Sequence, residues 1–176
     1  MHSTASHRPP GRAGFWSLPA RGLEKSWRTL WDRLVDQVRD SDPLTLYGAV
    51  EEGVPTGTVL LLSKALSEPV PQVLAVLGLP ETTFRRKADA GEVLPEVAAH
   101  RTVALMRVVA RLRQLLAESG DPALTKDFDL EGWVGAWIKQ PLPELGGQTP
   151  AALLRNPEGQ RVVEALLERM RGGSLA

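Results

Sequence analysis

Apolar residues recur at three- and four-residue spacing from Leu23 onward: Leu23, Trp27, Leu30, Trp31, Leu34, Val35 and Val38. That spacing places side chains on one face of a helix, while Arg28, Arg33 and Arg39 fall mostly off it. The helix ends before Ser41-Asp42-Pro43. There Asp42 is suited to cap a second helix, with Pro43 at a first position where a missing N–H costs nothing. Leu44, Tyr47 and Val50 form the apolar side of this second helix and Gly53 stops it. A third helix runs from Thr58 to Leu66, with Val59, Leu62, Ala65 and Leu66 inward, until Pro69. A short fourth opens at Pro71 and ends at Gly78, and a fifth runs from Glu81 to about Ala90, stopped by Gly91.

The long periodic run from Pro95 to Ala117 carries Val97, Val108, Val109, Leu112, Leu115 and Leu116. Ser119-Gly120-Asp121-Pro122 breaks it. Asp129 then caps a helix carrying Leu130, Trp133, Val134, Trp137 and Ile138, which ends before Pro141. Gly146-Gly147 forces a turn, and Thr149-Pro150 and Asn156-Pro157 are two successive cap-plus-proline starts. The last helix carries Val162, Val163, Leu166, Leu167 and Met170 and ends at Gly172-Gly173. No window alternates with period two between turn residues, and the breakers fall between periodic segments. The expected fold is therefore all-α, a helical bundle. Residues 1–21, rich in Ser, His, Arg, Pro and Gly, are expected to be a disordered tail. Residues 22–53 are expected to form a helical extension, 54–118 a domain built on a helix-turn-helix, and 119–176 a small C-terminal helical domain.

Composition narrows the function. Lys and Arg together balance Asp and Glu, for a formal net charge of zero, so contact with nucleic acid has to come from a local basic patch. There is no cysteine, which removes disulfides, thiolate metal sites and thiol nucleophiles. The N-terminus lacks the apolar stretch of a secretory signal, and no window approaches the roughly 20 apolar residues of a membrane span. A cytoplasmic chain with no membrane partner is expected. Trp27 and Trp31 share one stripe of the first helix and suit docking on the core, dimerisation or a membrane surface, the last ranked below the others because Glu24, Asp32, Asp36 and Asp40 balance the basic residues there.

The chain carries few groups for acid–base chemistry. His2 and His7 lie in the tail, and His100 has no partner at metal-ligand spacing. No Gly-rich phosphate loop, nucleophile elbow or HExxH pair occurs. Glu51-Glu52 and Asp127/Asp129 are paired carboxylates, the second pair explained by capping. No cofactor, no metal site and no catalytic residue is expected, and the chain reads as a binding protein rather than an enzyme.

Val70 to Lys87 has the layout of a helix-turn-helix. Val73 and Leu77 face inward, Leu79 plugs the turn after Gly78, and Phe84 anchors the second helix. Thr82, Thr83, Arg85, Arg86 and Lys87 then point outward, and hydroxyls with Arg or Lys at a helix start suit phosphates and base edges in a major groove. Operator DNA is the partner this segment suggests.

A second stretch is more specific. Trp137-Ile138-Lys139-Gln140-Pro141, Leu145-Gly146-Gly147-Gln148-Thr149-Pro150, Leu153-Leu154, Gly159 and Val162-Val163 together resemble the C-terminal domain of the Xre/MbcA/ParS antitoxins. Gly78-Leu79-Pro80-Glu81-Thr82-Thr83-Phe84-Arg85-Arg86-Lys87 is similar to that family's Xre-like segment, although the family more often has Ser at the position of Pro80 and Arg at that of Thr82. The resemblance covers roughly residues 54–173. It implies an antitoxin that binds a RES-domain toxin, an ADP-ribosyltransferase-like and NAD-consuming partner. The C-terminal region would block that partner's NAD cleft, and the Xre-like part would help repress the shared operon within a complex that contains a homodimer.

On this reading Gly146, Gly147, Thr149, Arg155, Leu166, Arg169, Arg171, Gly172 and Gly173 bind the toxin. Gly146-Gly147 allows a sharp fold-back. A terminal Arg can hold carboxylates bidentately, although cations also suit the C-terminal end of a helix. Trp133 and Trp137, one turn apart, read first as core residues and second as toxin contacts. The rival reading is a stand-alone transcription regulator whose C-terminal half dimerises.

Overall fold

The structure, a computed structural model, describes residues 14–19, 22–118 and 126–171. Helix α1 spans Leu23–Asp40 and buries Trp31, Leu34, Val35 and Val38, the stripe that the spacing predicts. Helix α2 spans Pro43–Glu52. Asp42 Oδ1 accepts from the backbone N–H groups of Leu44 and Thr45, each at 2.9 Å, and Oδ2 accepts from the Thr45 hydroxyl at 2.8 Å. Helix α3 (Gly57–Ala65) and α4 (Val70–Leu77) meet at a bend of 111°. Helix α5 covers Glu81–Asp89 and α6 covers Glu96–Glu118. They are followed by α7 (Leu130–Trp137), a 3-10 turn at Pro143–Leu145, the one-turn α8 (Pro150–Leu153) and α9 (Pro157–Arg171). Among the described residues there is no strand, only two isolated antiparallel bridges, Pro55 with Val93 and Leu142 with Gln148. The all-α fold read from the sequence is the fold observed.

Helix α6 is the axis of the molecule. It packs on α1, α2, α4, α7 and α9, and Ala98, Thr102, Leu105, Met106, Val109 and Leu112 are buried around much of its circumference. Small residues such as Ala98, Ala99 and Ala104 let neighbours approach on sides that a single apolar stripe would leave wet. The core runs without interruption from Phe15 through Leu167, so it crosses all three expected boundaries.

Two close approaches explain glycines. A Cβ on Gly135 would fall on the carbonyl oxygen of Leu66, where α7 lies against the end of α3. A Cβ on Gly159 would fall on the carbonyl oxygen of Leu153, so the turn from α8 into α9 closes only on glycine.

The structure corrects the sequence reading in three places. First, the N-terminal segment is not all tail. Phe15 and Trp16 are 6% and 8% exposed, their rings pack edge to face at 4.7 Å, and Trp16 Nε1 donates to the Ala49 carbonyl at 2.7 Å. Two aromatics are enough to dock a segment of low mean hydropathy, because each buries a large apolar area; residues 1–13 and 20–21 lie outside the described residues. Second, α2 turns its bulky side outward: Leu44 and Tyr47 are 77% and 61% exposed, and Ala49 is the buried residue. The small face fits over Trp16 where the bulky one would not. Third, Val97 and Val162 are exposed, each on a helix whose buried arc is set by neighbours other than the local period. Among the described residues no single helix is long and apolar enough to cross a membrane. The break at 119–122 lies outside the described residues.

Candidate functional site

Local hydrogen bonds build the C-terminal region. Asp129 Oδ1 accepts from the Gly132 N–H at 3.1 Å and starts α7. After α7, the Leu142 N–H donates to the Gln148 carbonyl at 3.0 Å, and the Gly147 N–H returns to the Leu142 carbonyl at 2.9 Å. Gly146 and Gly147 both have positive φ, 64° and 78°, a left-handed pair that costs little only at glycine. The result is a tight knuckle. Thr149 Oγ1 accepts from the Ala152 N–H at 3.1 Å, and the Ala151 N–H donates to the Ile138 carbonyl at 2.8 Å, which ties α8 to the end of α7. Asn156 Oδ1 caps α9 through the Gly159 N–H at 2.9 Å.

The residues expected to bind a toxin are thus spread over four places. Gly146 and Gly147 are exposed on the knuckle, and half-buried Thr149 serves as a helix cap. The Arg155 side chain is exposed at the joint between α8 and α9, while Leu166 lies in the core at 2% exposure. Arg169 and Arg171 are exposed at the other end of α9, about 20 Å along its axis from Arg155 at 1.5 Å rise per residue. Arg171 Nε stands 3.8 Å from Glu118, and its Nη1 stands 3.8 Å from Glu168. Arg169 makes no ion pair among the described residues. Gly172 and Gly173 lie outside the described residues.

Helix α9 runs parallel to α6 and is stitched to it by ions: Arg107 to Glu164 at 3.0 Å and Arg111 to Glu168 at 2.5 Å. Between α2, α6 and α9 lies a groove of about 630 Å³ with Leu46, Val103, Leu154 and Leu167 in its lining and Tyr47 at its rim. Sequence reasoning missed it, because α2 was expected to turn the same side inward.

The helix-turn-helix segment has the expected layout, with Leu79 and Phe84 buried at 6% and 8%. Gly78 is left-handed, and the Arg101 guanidinium lies where its Cβ would be. Each cation on α5 has an acidic neighbour. Arg85 Nη2 stands 2.5 Å from Glu81, Lys87 Nζ 2.7 Å from Glu92, and Arg86 Nη1 3.7 Å from Glu92. The Lys87 hydrogen bond, its charge and that of Arg86 hold the Glu92 carboxyl below its ordinary value. Thr82 is exposed and Thr83 half-buried.

Two polar clusters were not legible in the sequence. Arg101 Nη1 donates to the Leu77 carbonyl at 3.0 Å and Nη2 to the Arg155 carbonyl at 3.3 Å. Arg113 binds Asp32 through Nη2 at 2.6 Å and buried Glu131 through Nε at 2.7 Å. Burial works against the charge of Arg113, yet the hydrogen bonds to Asp32 and Glu131 more than offset it and raise its pKa. Glu131 is itself a partner, not a spare acid. Among the described residues no group of three or more His, Asp or Glu could hold a metal ion.

The C-terminal stretch is thus a set of short capped helices packed on the same core as the α4–turn–α5 segment. Residues 123–173 match the model of the antitoxin Xre/MbcA/ParS C-terminal toxin-binding domain. The chain is 31% identical over 136 residues to the Prs ADP-ribosylating antitoxin of Sphingobium sp. (strain YBL2), an alignment that covers 77% of this chain and 84% of that protein. The chain belongs to the Xre/MbcA/ParS antitoxin family, and its partner is a toxin.

Proposed function

We propose that the toxin is a RES-domain protein, ADP-ribosyltransferase-like and NAD-consuming, and that this chain silences it by covering its NAD cleft with the C-terminal region. The observation that carries the reading is the match of residues 123–173 to a toxin-binding domain, a stretch that folds here into a capped, closely tied unit. The relative's name joins an antitoxin to ADP-ribosylation of Prs, which is the chemistry expected of such a partner. The chain acts by binding and contributes no catalytic group. Arg169 and Arg171, both exposed at the end of α9, are the groups assigned to the cleft. The test is co-purification with the neighbouring-frame toxin, followed by NAD turnover with and without this chain. Silencing at fixed stoichiometry is expected, and removal of residues 172–176 should weaken it. A toxin that forms the complex yet turns over NAD at its free rate refutes occlusion.

Operon repression is a separate role of α5. Its cations are held in surface ion pairs worth about 0–1 kcal/mol each, so phosphates can displace the carboxylates at small cost. Gel-shift titration of the operator with the intact complex tests this. Arg85→Ala with Arg86→Ala should weaken binding and flatten its salt dependence, and identical binding by the double variant refutes a role for α5.

A further inference from the structure

The outer face of α7 is aromatic at its centre, with exposed charge only at its ends, Asp127 and Asp129 before the helix and Lys139 after it. Phe128 and Trp133 are 44% and 37% exposed. The Phe128 ring centroid is 6.3 Å from that of Trp133 at a tilt of 52°, and Trp133 stacks on Trp137 at 5.6 Å and 17°. Trp137 is buried at 7%, so it acts as a fixed floor on which the exposed indole rests. Above and below Trp133 on this face lie Asp129, whose Oδ1 is engaged in capping the helix, and Ala136 and Gln140, all exposed. The one carboxylate of α7, Glu131, is turned inward to Arg113, and Lys139 at its end is engaged by Glu68. From Gln140 through Leu154 the sequence has a single charge, Glu144. The uncharged character therefore continues from α7 into the knuckle.

Interface cores are depleted in Lys, Glu and Asp and enriched in Trp and Phe, and truncation of a few such anchors removes most of the binding energy. Here the anchor is already ordered by stacking, which lowers the entropy lost on docking. The face lies inside residues 123–173, the stretch matched to a toxin-binding domain, and that continuity selects the occupant. We propose that Phe128 and Trp133 form an aromatic anchor that seats in an apolar, uncharged pocket on the toxin. The inference rests on the toxin-binding reading and deepens it: the grip is apolar, whatever the Arg residues of α9 contribute at the cleft.

The test is a titration of full-length chain with its toxin, using Trp133→Ala, Trp133→Phe and Phe128→Ala, with Leu44→Ala on α2, 77% exposed and outside the matched stretch, as an exposed apolar control. Thermal unfolding of each variant checks the fold. Trp133→Ala should bind at least about tenfold more weakly, Trp133→Phe should recover part of the loss, and Leu44→Ala should match wild type. The loss caused by Trp133→Ala should change less than about threefold between about 0.05 and 0.5 M salt, because apolar contacts are not screened; a loss that vanishes at high salt overturns the apolar grip. Wild-type affinity in folded Trp133→Ala overturns the anchor. So does loss of self-association in that variant with toxin affinity intact, which would assign the face to a second copy of the chain. No binding by wild-type protein refutes the toxin reading itself, and the anchor falls with it.

Discussion

Arg101 reaches across the molecule to Arg155: its Nη2 donates to the Arg155 carbonyl at 3.3 Å while Nη1 donates to the Leu77 carbonyl at 3.0 Å. One guanidinium thus satisfies a carbonyl at the end of α4, the first helix of the helix-turn-helix, and another at the joint that leads into α9. Helix ends leave such carbonyls without intrahelical partners, and a planar fork can serve two at once. Arg101→Ala should therefore destabilise the fold by about 1–2 kcal/mol, read as a lower urea midpoint. Arg101→Lys should recover only part, since an ammonium cannot span both acceptors. A midpoint equal to wild type would show that water replaces both bonds.

Gly159 and Gly48 should respond in opposite senses to alanine. At Gly159 the new methyl collides with the Leu153 backbone, and backbone cannot swing aside. A loss of about 2–3 kcal/mol is expected, with α9 displaced from its ion pairs. Gly48 sits within α2 with nothing within 4 Å of its would-be Cβ, so Gly48→Ala should gain about 0.5–1 kcal/mol. Paired thermal melts decide both.

Trp16→Ala should cost about 3 kcal/mol or more, because it empties a buried site and leaves the Ala49 carbonyl without its indole donor. Chemical denaturation of the variant is the measurement. A neutral outcome would mean that the segment 14–19 is dispensable, as its composition alone suggests.

Asp42 should make the start of α2 acid-sensitive. The Thr45 backbone bond, the Thr45 hydroxyl and the Leu44 N–H all favour its ionised form and hold its pKa below the ordinary Asp value. A lowered folded pKa means that the unfolded chain binds the proton first. The stabilisation is therefore full above the ordinary carboxylate value and fades as pH falls through the lowered one. Hydrogen exchange at Leu44 and Thr45 should be slow near neutrality and quicken, relative to other helix starts, in that acid window. Asp42→Asn should flatten the dependence while keeping most of the cap.

Features encoded within four residues were legible: Asp42, Asp129 and Thr149 cap the helices they were expected to cap, and Gly78 is left-handed where the turn needs it. Periodicity also found the buried stripe of α1. It failed for Leu44 and Tyr47 because a 3.6-residue period says which side chains share a face and not which face meets the core. Phe15-Trp16 were hidden by polar neighbours, since two residues carry no period. Glu131 was invisible for another reason: its partner Arg113 is 18 residues away, and Asp32, the third member, lies 81 residues from Arg113. Of the expected toxin contacts, Leu166 lies in the core and Thr149 caps a helix, while Phe128, more exposed than Trp133 beside it, was not considered.

The Arg113 bridge bears on what counts as a separable part. It holds Asp32 of α1 and Glu131 of α7 at once, so the stretch that carries the family's signature is bolted to a helix that precedes the signature by many residues. Excised alone, that stretch would lose the Arg113 partner of Glu131 and the cover over buried Val134 and Ile138. A nick in α1 should then be felt at the knuckle. The inhibitor is a monolith whose recognisable end is only its visible face.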